Sequence, residues 1–154
     1  MWYNRIVDNL GEVPSAIDYY NAELESAQGE ARIRGNVEKN AQELSGIMAY
    51  RFDQLQEIEA MLKYLNIKYD KMRSDHYRKY LERYQRDLSD RSIEKYIDGE
   101  DDIVGMAMII NEVSLVRNRY LALIKGLDVK QFQISNIVKL RIVGMEDAHL
   151  GTKG

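Results

Sequence analysis

The sequence predicts an all-α protein, an elongated long-helix or coiled-coil hairpin with a C-terminal helical assembly region. A single proline occurs among the 154 residues, and 31% of them are charged, a composition that favours helix. Between Asn36 and Leu88, apolar residues recur at alternating steps of three and four over at least four heptads, which is typical of a coiled coil or a long packed helix. No segment alternates apolar and polar residues over a useful length, so no strand is predicted.

The chain divides into four predicted parts. Residues 1–35 form an irregular N-terminal segment and a short helix, and residues 36–88 form one long helix. Residues 89–145 form a C-terminal helical oligomerisation region, and residues 146–154 a flexible tail.

The first part is interrupted by Gly11 and Pro14, so residues 1–14 are predicted to be irregular. Ser15 is the predicted N-cap of a helix that reaches about Ala27, because a serine hydroxyl accepts a hydrogen bond from a free backbone N–H.

The long helix carries an apolar seam that contains a single polar residue, Arg51. One glycine, Gly46, lies within this helix, and the pattern predicts that the helix continues through it for at least about 40 residues. The seam residues are Ala41, Leu44, Met48, Arg51, Leu55, Ile58, Leu62, Leu65, Tyr69 and Met72.

The C-terminal region is predicted to hold three helical pieces. A short helix or turn at Ile93–Ile97 precedes an acidic loop at 98–102, whose carboxylates complement the N-terminus of the next helix. That helix, Ile103–Lys125, is predicted to end at Gly126, and a last helix follows over Asp128–Val143. The apolar stripe of this region is wider than one partner helix covers, which favours self-association, with a closed bundle core as the alternative.

Several classes of function are excluded by what the sequence lacks. Without cysteine there is no disulfide, thiolate metal site or cysteine nucleophile, which suits a reducing, cytoplasmic location. No glycine-rich phosphate loop or membrane-spanning apolar run is present, and no signal peptide is predicted. The two histidines, His76 and His149, are far apart, so we expect no metal site, no cofactor and no catalytic residues. The acidic residues at 98–102 lack the ligand spacing of a calcium loop and are interpreted as capping groups.

The most informative segment is the basic-tyrosine stretch, Lys63–Arg86. It holds eight basic residues, three acidic residues and five tyrosines, a local charge of +5 in a chain of net charge −3. Cations neutralise phosphates, and aromatic rings stack on unpaired bases, so the stretch predicts binding of single-stranded nucleic acid without strong sequence preference. The alternative is a solvated charged face whose tyrosines pack in the core. The candidate contacts are Lys71, Arg73, Arg78, Lys79, Tyr80, Arg83, Tyr84 and Arg86.

The segment 93–104, which reads IEKYIDGEDDIV, resembles the acidic turn of the recombination mediator family of T-even-like phages (UvsY-like). Residues 123–127 and 132–137, together with Arg141, are similar to the helices that follow this turn in the family. A helix with interleaved basic and aromatic residues just before the turn is another shared feature. The first 60 residues carry no such resemblance.

The resemblance implies an oligomeric, ring-like, non-enzymatic protein that acts in the host cytoplasm during DNA recombination and repair. Such a protein binds single-stranded DNA and a RecA-like recombinase, and it helps that recombinase replace single-strand-binding protein. The basic-tyrosine stretch would contact DNA, and the C-terminal helices would form the homo-oligomer. The implied assembly residues are Ile103, Ile110, Val113, Leu123, Phe132 and Ile137.

The alternative function is a non-enzymatic coiled-coil structural or adaptor protein of a phage or cytoplasmic complex. In that case the basic stretch is only a solvated helix face. An enzyme is the third possibility, which the absent motifs disfavour.

Overall fold

The computed structural model describes residues 1–83 and 87–144, and within these residues the protein is all-α, without strands. The predicted fold class is therefore confirmed. The helices are α1 (Trp2–Asp8), α2 (Val13–Ala27), α3 (Val37–Arg83), α4 (Asp90–Asp98) and α5 (Asp101–Ile142), and a 3₁₀ turn at Leu10–Glu12 separates the first two. None of the described helices is both long and apolar enough to cross a membrane.

The 47-residue helix α3 confirms the predicted long helix, which continues through Gly46. The side chain of Asn36 caps its N-terminus by accepting hydrogen bonds from the backbone N–H groups of Glu38 and Lys39. Gly35, with a φ of +71°, makes the turn before α3 in a conformation that glycine adopts without steric cost. Seam residues Leu44, Arg51, Leu55, Ile58 and Leu65 are buried.

The N-terminal segment is more regular than predicted. Residues 2–8 form α1, because Ile6 is completely buried and a seven-residue helix owes its stability to such packing more than to its own sequence. Helix α2 starts at Val13, so Ser15 is not its N-cap. Pro14 lies in the first turn of α2, where its missing N–H removes no helical hydrogen bond.

The predicted break at Gly126 is wrong, because α5 runs without interruption over 42 residues. A Cβ atom placed on Gly126 would lie 3.2 Å from the Cβ of Ala31. The glycine therefore allows a close approach of the Ala31 segment, and it does not end the helix. The predicted end at Gly144 is confirmed, since α5 ends at Ile142 and Gly144 has a φ of +78°.

The chain separates into two compact units, and both α3 and α5 contribute residues to each. Unit 1 comprises Met1–Asn21 and Gln56–Asn118, and unit 2 comprises Ala22–Leu55 and Arg119–Gly154. In unit 1, Arg117 pairs with Glu59 at 3.1 Å and His76 lies 2.8 Å from Asp102, so α3 and α5 run antiparallel there. Helix α4 packs in this unit through the buried residues Ile93 and Ile97, which form a core cluster with Ile103 of α5. In unit 2 the core consists of Val37, Leu44, Leu127 and Ile134.

Candidate nucleic-acid interface

The basic-tyrosine stretch occupies the C-terminal half of α3, in unit 1, and two of its predicted DNA contacts are already paired with acids. Arg73 bonds to Glu94 and Asp98 at 2.5 and 2.8 Å and is only 21% exposed. The hydrogen bond to Asp98 is the main reason why the pKa of Arg73 is raised above its usual value. Lys71 pairs with Asp75 at 2.5 Å, and this hydrogen bond holds the pKa of Asp75 below its usual value. Both cations are therefore largely neutralised within the chain.

Three other predicted contacts are exposed cations without such partners. Within residues 1–83 and 87–144, Arg78, Lys79 and Arg83 make no ion pair or hydrogen bond. Arg78 and Lys79 act on the Asp75 carboxylate only through longer-range charge. Because Lys79 and Arg83 are four residues apart, they project from the same face of α3. We call Arg78, Lys79 and Arg83 the free cation cluster.

Two open grooves border this cluster. Arg78 lines a groove of about 440 Å³ together with Tyr77 and Leu81. Lys79 and Arg83 line another, of about 270 Å³, together with His76. The cluster thus presents three positive charges along concave, solvent-accessible surface.

Two tyrosines of the stretch, Tyr77 and Tyr80, serve the core more than predicted. Tyr77 donates a hydrogen bond to Asp90 at 2.7 Å, which raises the pKa of Tyr77, and Tyr80 donates to Glu100 at 2.5 Å. Both rings pack against the Ile93–Ile97–Ile103 cluster. Tyr80 is therefore a partly buried packing residue as well as a residue that lines the groove of Lys79 and Arg83.

An aromatic residue outside the stretch offers the free ring. Tyr96 on α4 stacks on Tyr80 with ring centres 5.8 Å apart and an interplanar angle of 20°, yet it remains 54% exposed. Tyr80 covers part of this ring, and more than half of the surface of Tyr96 remains open to solvent. Tyr96 could not be predicted from the sequence, because it lies 13 residues beyond Arg83 in the chain. Only the packing of α4 against α3 brings its ring next to that of Tyr80.

The acidic turn is an ion-pairing partner of α3 as well as a capping segment. Glu94 and Asp98 bind Arg73, while Ser89 is the N-cap of α4. Asp102 accepts from the backbone N–H of Ile103 at 2.8 Å and lies against His76, whose hydrogen bond lowers the pKa of Asp102. This pairing could not be predicted from the sequence, because His76 and Asp102 are 26 residues apart.

Two of the predicted contacts, Tyr84 and Arg86, lie outside the described residues, as do residues 146–154 of the predicted tail.

The predicted assembly residues divide by burial. Ile103 and Val113 are each 1% exposed within unit 1, so neither side chain is available to a second copy in this conformation. Ile110 is partly buried, while Leu123 and Ile137 pack against the core of unit 2. Phe132, at 72% exposed, is the predicted assembly residue with the most free surface, and the assembly itself stays a prediction.

Helix α5 exposes further apolar side chains besides the predicted assembly residues. In unit 1 these are Val104, Met108 and Leu115. In unit 2 they are Leu121, Val129, Val138, Leu140 and Ile142.

Comparison of the chain with protein-family models, with curated proteins and with solved structures finds no match in any of the three. The resemblance to the phage mediator family therefore stays a prediction based on the motifs quoted above.

Proposed function

We propose that this protein is a non-enzymatic recombination mediator that binds single-stranded DNA through the end of α3. The observation that carries the proposal is the free cation cluster, because Arg78, Lys79 and Arg83 are exposed and unpaired within the described residues. These cations lie on a grooved surface of an acidic chain, and a polyanion supplies the counter-charges that they lack within the described residues.

The proposed ligand is single-stranded because the surface combines charge with one accessible ring. Tyr96 offers a face on which an unpaired base can stack, and a base inside a duplex has no free face for it. No groove-reading motif accompanies the cations, so the proposed binding is largely independent of sequence. The mediator role itself, with a RecA-like recombinase and single-strand-binding protein as partners, rests on the resemblance of the acidic turn and the helices that follow it.

The first experiment measures the affinity for a fluorescently labelled oligothymidylate as a function of salt. The variant Arg78→Ala, Lys79→Ala, Arg83→Ala is expected to bind more weakly, and its slope of log K against log salt should fall by about 0.7 for each phosphate that the variant no longer neutralises. A control variant, Lys39→Ala, Lys125→Ala, Lys139→Ala, removes the same charge at exposed positions of unit 2. Equal slopes for the two variants would contradict the proposed site.

The mediator role needs a second assay, since many proteins bind single strands. A RecA-like recombinase should assemble faster on DNA coated with single-strand-binding protein when the wild-type protein is added. The triple cluster variant should lose this stimulation while its helical content, measured by circular dichroism, is retained. If DNA binding is present but stimulation is absent in the wild type, the binding part stands and the mediator part fails.

A structural or adaptor protein is the second candidate, and the exposed apolar residues of α5 favour it. Met108, Leu115 and Phe132 are each more than half exposed, and a partner helix that covered them would remove this apolar surface from water. This candidate predicts no binding of oligothymidylate at low salt, whereas the mediator proposal requires it.

A further inference from the structure

Three metal-ligating side chains converge where α3 meets the start of α5, within unit 1. His76 Nε2 lies 2.8 and 2.9 Å from the two carboxylate oxygens of Asp102. His76 Nδ1 lies 3.9 Å from Oε1 of Glu100. One ligand atom from each of the three residues lies within 4.8 Å of the other two. Their side chains are 16%, 34% and 52% exposed for His76, Glu100 and Asp102, so the group opens to solvent on one side.

Both carboxylates are held in place by hydrogen bonds from outside the group. The hydroxyl of Tyr80 donates to Oε1 of Glu100, and the backbone N–H of Ile103 donates to Oδ1 of Asp102. Neither of these two hydrogen bonds involves the second carboxylate oxygen, Oε2 of Glu100 or Oδ2 of Asp102. Such second interactions orient the ligating groups of metal sites and keep them from rotating away from the ion.

We propose that His76, Glu100 and Asp102 form a binding site for a divalent transition-metal ion of the zinc type. One imidazole nitrogen and two carboxylate oxygens are a mixed donor set that Zn²⁺ accepts, and solvent supplies the fourth position. A hard cation such as Mg²⁺ prefers oxygen ligands alone and binds this set less well.

Binding requires a small local movement. Two ligands of a tetrahedral Zn²⁺, each about 2.0 Å from the ion, are roughly 3.3 Å apart. His76 and Asp102 therefore separate by about 0.5 Å from their 2.8 Å contact as the metal replaces the shared hydrogen. Rotation of the Asp102 side chain supplies this movement, because this side chain is the most exposed of the three and has room to turn.

The competing interpretation is a plain ion pair in which a protonated His76 lies between two carboxylates. Lys79 and Arg83 line the same groove as His76 and Glu100, and their charge lowers the affinity for a cation. The two interpretations can be distinguished by measurement. A metal site predicts that the protein is stabilised when a metal ion alone is added, whereas a plain ion pair predicts no such effect.

The test adds Zn²⁺, Mn²⁺ or Mg²⁺ to the untagged full-length protein at pH 7.5 and follows the melting temperature. Zn²⁺ should raise it in a concentration-dependent way, because a ligand that binds the native state stabilises it by mass action, and Mg²⁺ should raise it least. Co²⁺ added in place of Zn²⁺ should give the visible absorption of a four- or five-coordinate ion.

Two variants test the ligands His76 and Asp102, and two further variants serve as controls. His76→Gln and Asp102→Asn should each abolish the Zn²⁺-dependent shift and the Co²⁺ absorption, with each variant compared with its own metal-free sample. Asp101→Asn removes a neighbouring exposed carboxylate of the same helix turn, and His149→Gln removes the other histidine, and both should retain the response. No metal response in the wild type, or an equal response in Asp102→Asn and Asp101→Asn, would overturn the proposal.

Discussion

Arg51 on α3 donates two hydrogen bonds to the carboxylate of Glu30, from Nε at 2.9 Å and from Nη2 at 2.7 Å. Its Nη1 also bonds to Glu23 and to Gln54, both at 2.9 Å. The arginine side chain is 5% exposed, and the two glutamates are 25% and 23% exposed. Every arm of the guanidinium thus has a partner in unit 2, which is the condition under which a buried charge is tolerated.

Arg51→Met should lower the free energy of unfolding by about 3 kcal/mol, because it leaves two acids side by side without their cation. Urea denaturation followed by circular dichroism measures this change. Lys39→Met is the control, since Lys39 pairs with Glu43 at 3.8 Å on the surface and its loss should cost less than about 0.5 kcal/mol. Equal losses in the two variants would show that the Arg51 cluster contributes nothing beyond a surface pair.

Stability should decrease in acid through Glu23. Hydrogen bonds from Gln54, Tyr50 and Arg51 hold the pKa of Glu23 below its usual 4.5. The unfolded chain therefore takes up a proton at higher pH than the folded one, so this stabilisation is present above pH 4.5 and is lost as the pH falls below it. Glu23→Gln should flatten the dependence of stability on pH between about 5 and 2. Glu25→Gln, an exposed change on the same helix, should leave that dependence as in the wild type.

Gly126 should tolerate alanine less well than Gly46. Alanine in place of a helical glycine stabilises by about 0.5–1 kcal/mol where there is room, and a Cβ on Gly46 would meet nothing within 4 Å. A Cβ on Gly126 would lie 3.2 Å from Ala31, so Gly126→Ala should give a smaller gain or a loss, and Gly126→Leu a clear loss. Thermal melting of the three variants decides this, and a Gly126→Leu variant as stable as the wild type would disprove the close contact.

Tyr96 should contribute stacking to DNA binding, and Tyr80 should contribute stability. Tyr96→Ala is expected to weaken oligothymidylate binding by about 1–3 kcal/mol without changing the salt slope, since a ring carries no charge. Tyr80→Phe loses the hydrogen bond to Glu100 and should cost about 1 kcal/mol of folding stability while DNA affinity is retained. Unchanged oligothymidylate binding in Tyr96→Ala would refute the stacking role of Tyr96.

Assembly should depend on the exposed face of α5 and not on its buried residues. We expect a homo-oligomer larger than a dimer, and Phe132→Asp should reduce its sedimentation coefficient, because a carboxylate replaces an exposed apolar ring. Gln133→Asp introduces the same charge at the adjacent exposed position and should leave the oligomer intact. A monomeric wild type at micromolar concentration would refute self-association. Val113→Asp cannot serve here, because a charge at a 1% exposed position unfolds the chain.

Periodicity in the sequence was enough to predict the long helix and the unusual place of Arg51 in its seam. The partners of Arg51 could not be predicted, because Glu23 and Glu30 lie 28 and 21 residues earlier in the chain and many acids are equally near in sequence. Gly126 illustrates a different failure. A glycine two residues before a capping aspartate matches a helix end, and only the position of Ala31 shows that the glycine serves packing.

The sequence predicted which residues of α3 are candidate DNA contacts, and the structure shows which of them form ion pairs within the chain. The sequence identified all the cations of α3, but it could not show that Arg73 is neutralised by α4 while Arg78 and Lys79 stay free. Charge pairing between helices depends on the path of the chain through the 87–100 corner, and no periodic pattern encodes that path. Tyr96 and the His76–Asp102 pair escaped prediction for the same reason.

The Arg51 cluster also decides how the helices of unit 2 align along their axes. An apolar seam with a regular spacing is nearly as well satisfied after a shift of one turn, because another apolar residue takes each vacated place. Such a shift moves the guanidinium about 5.4 Å from its acids and leaves a buried cation unpaired. One polar position in a repetitive seam thus specifies the register that the apolar residues alone would leave undetermined.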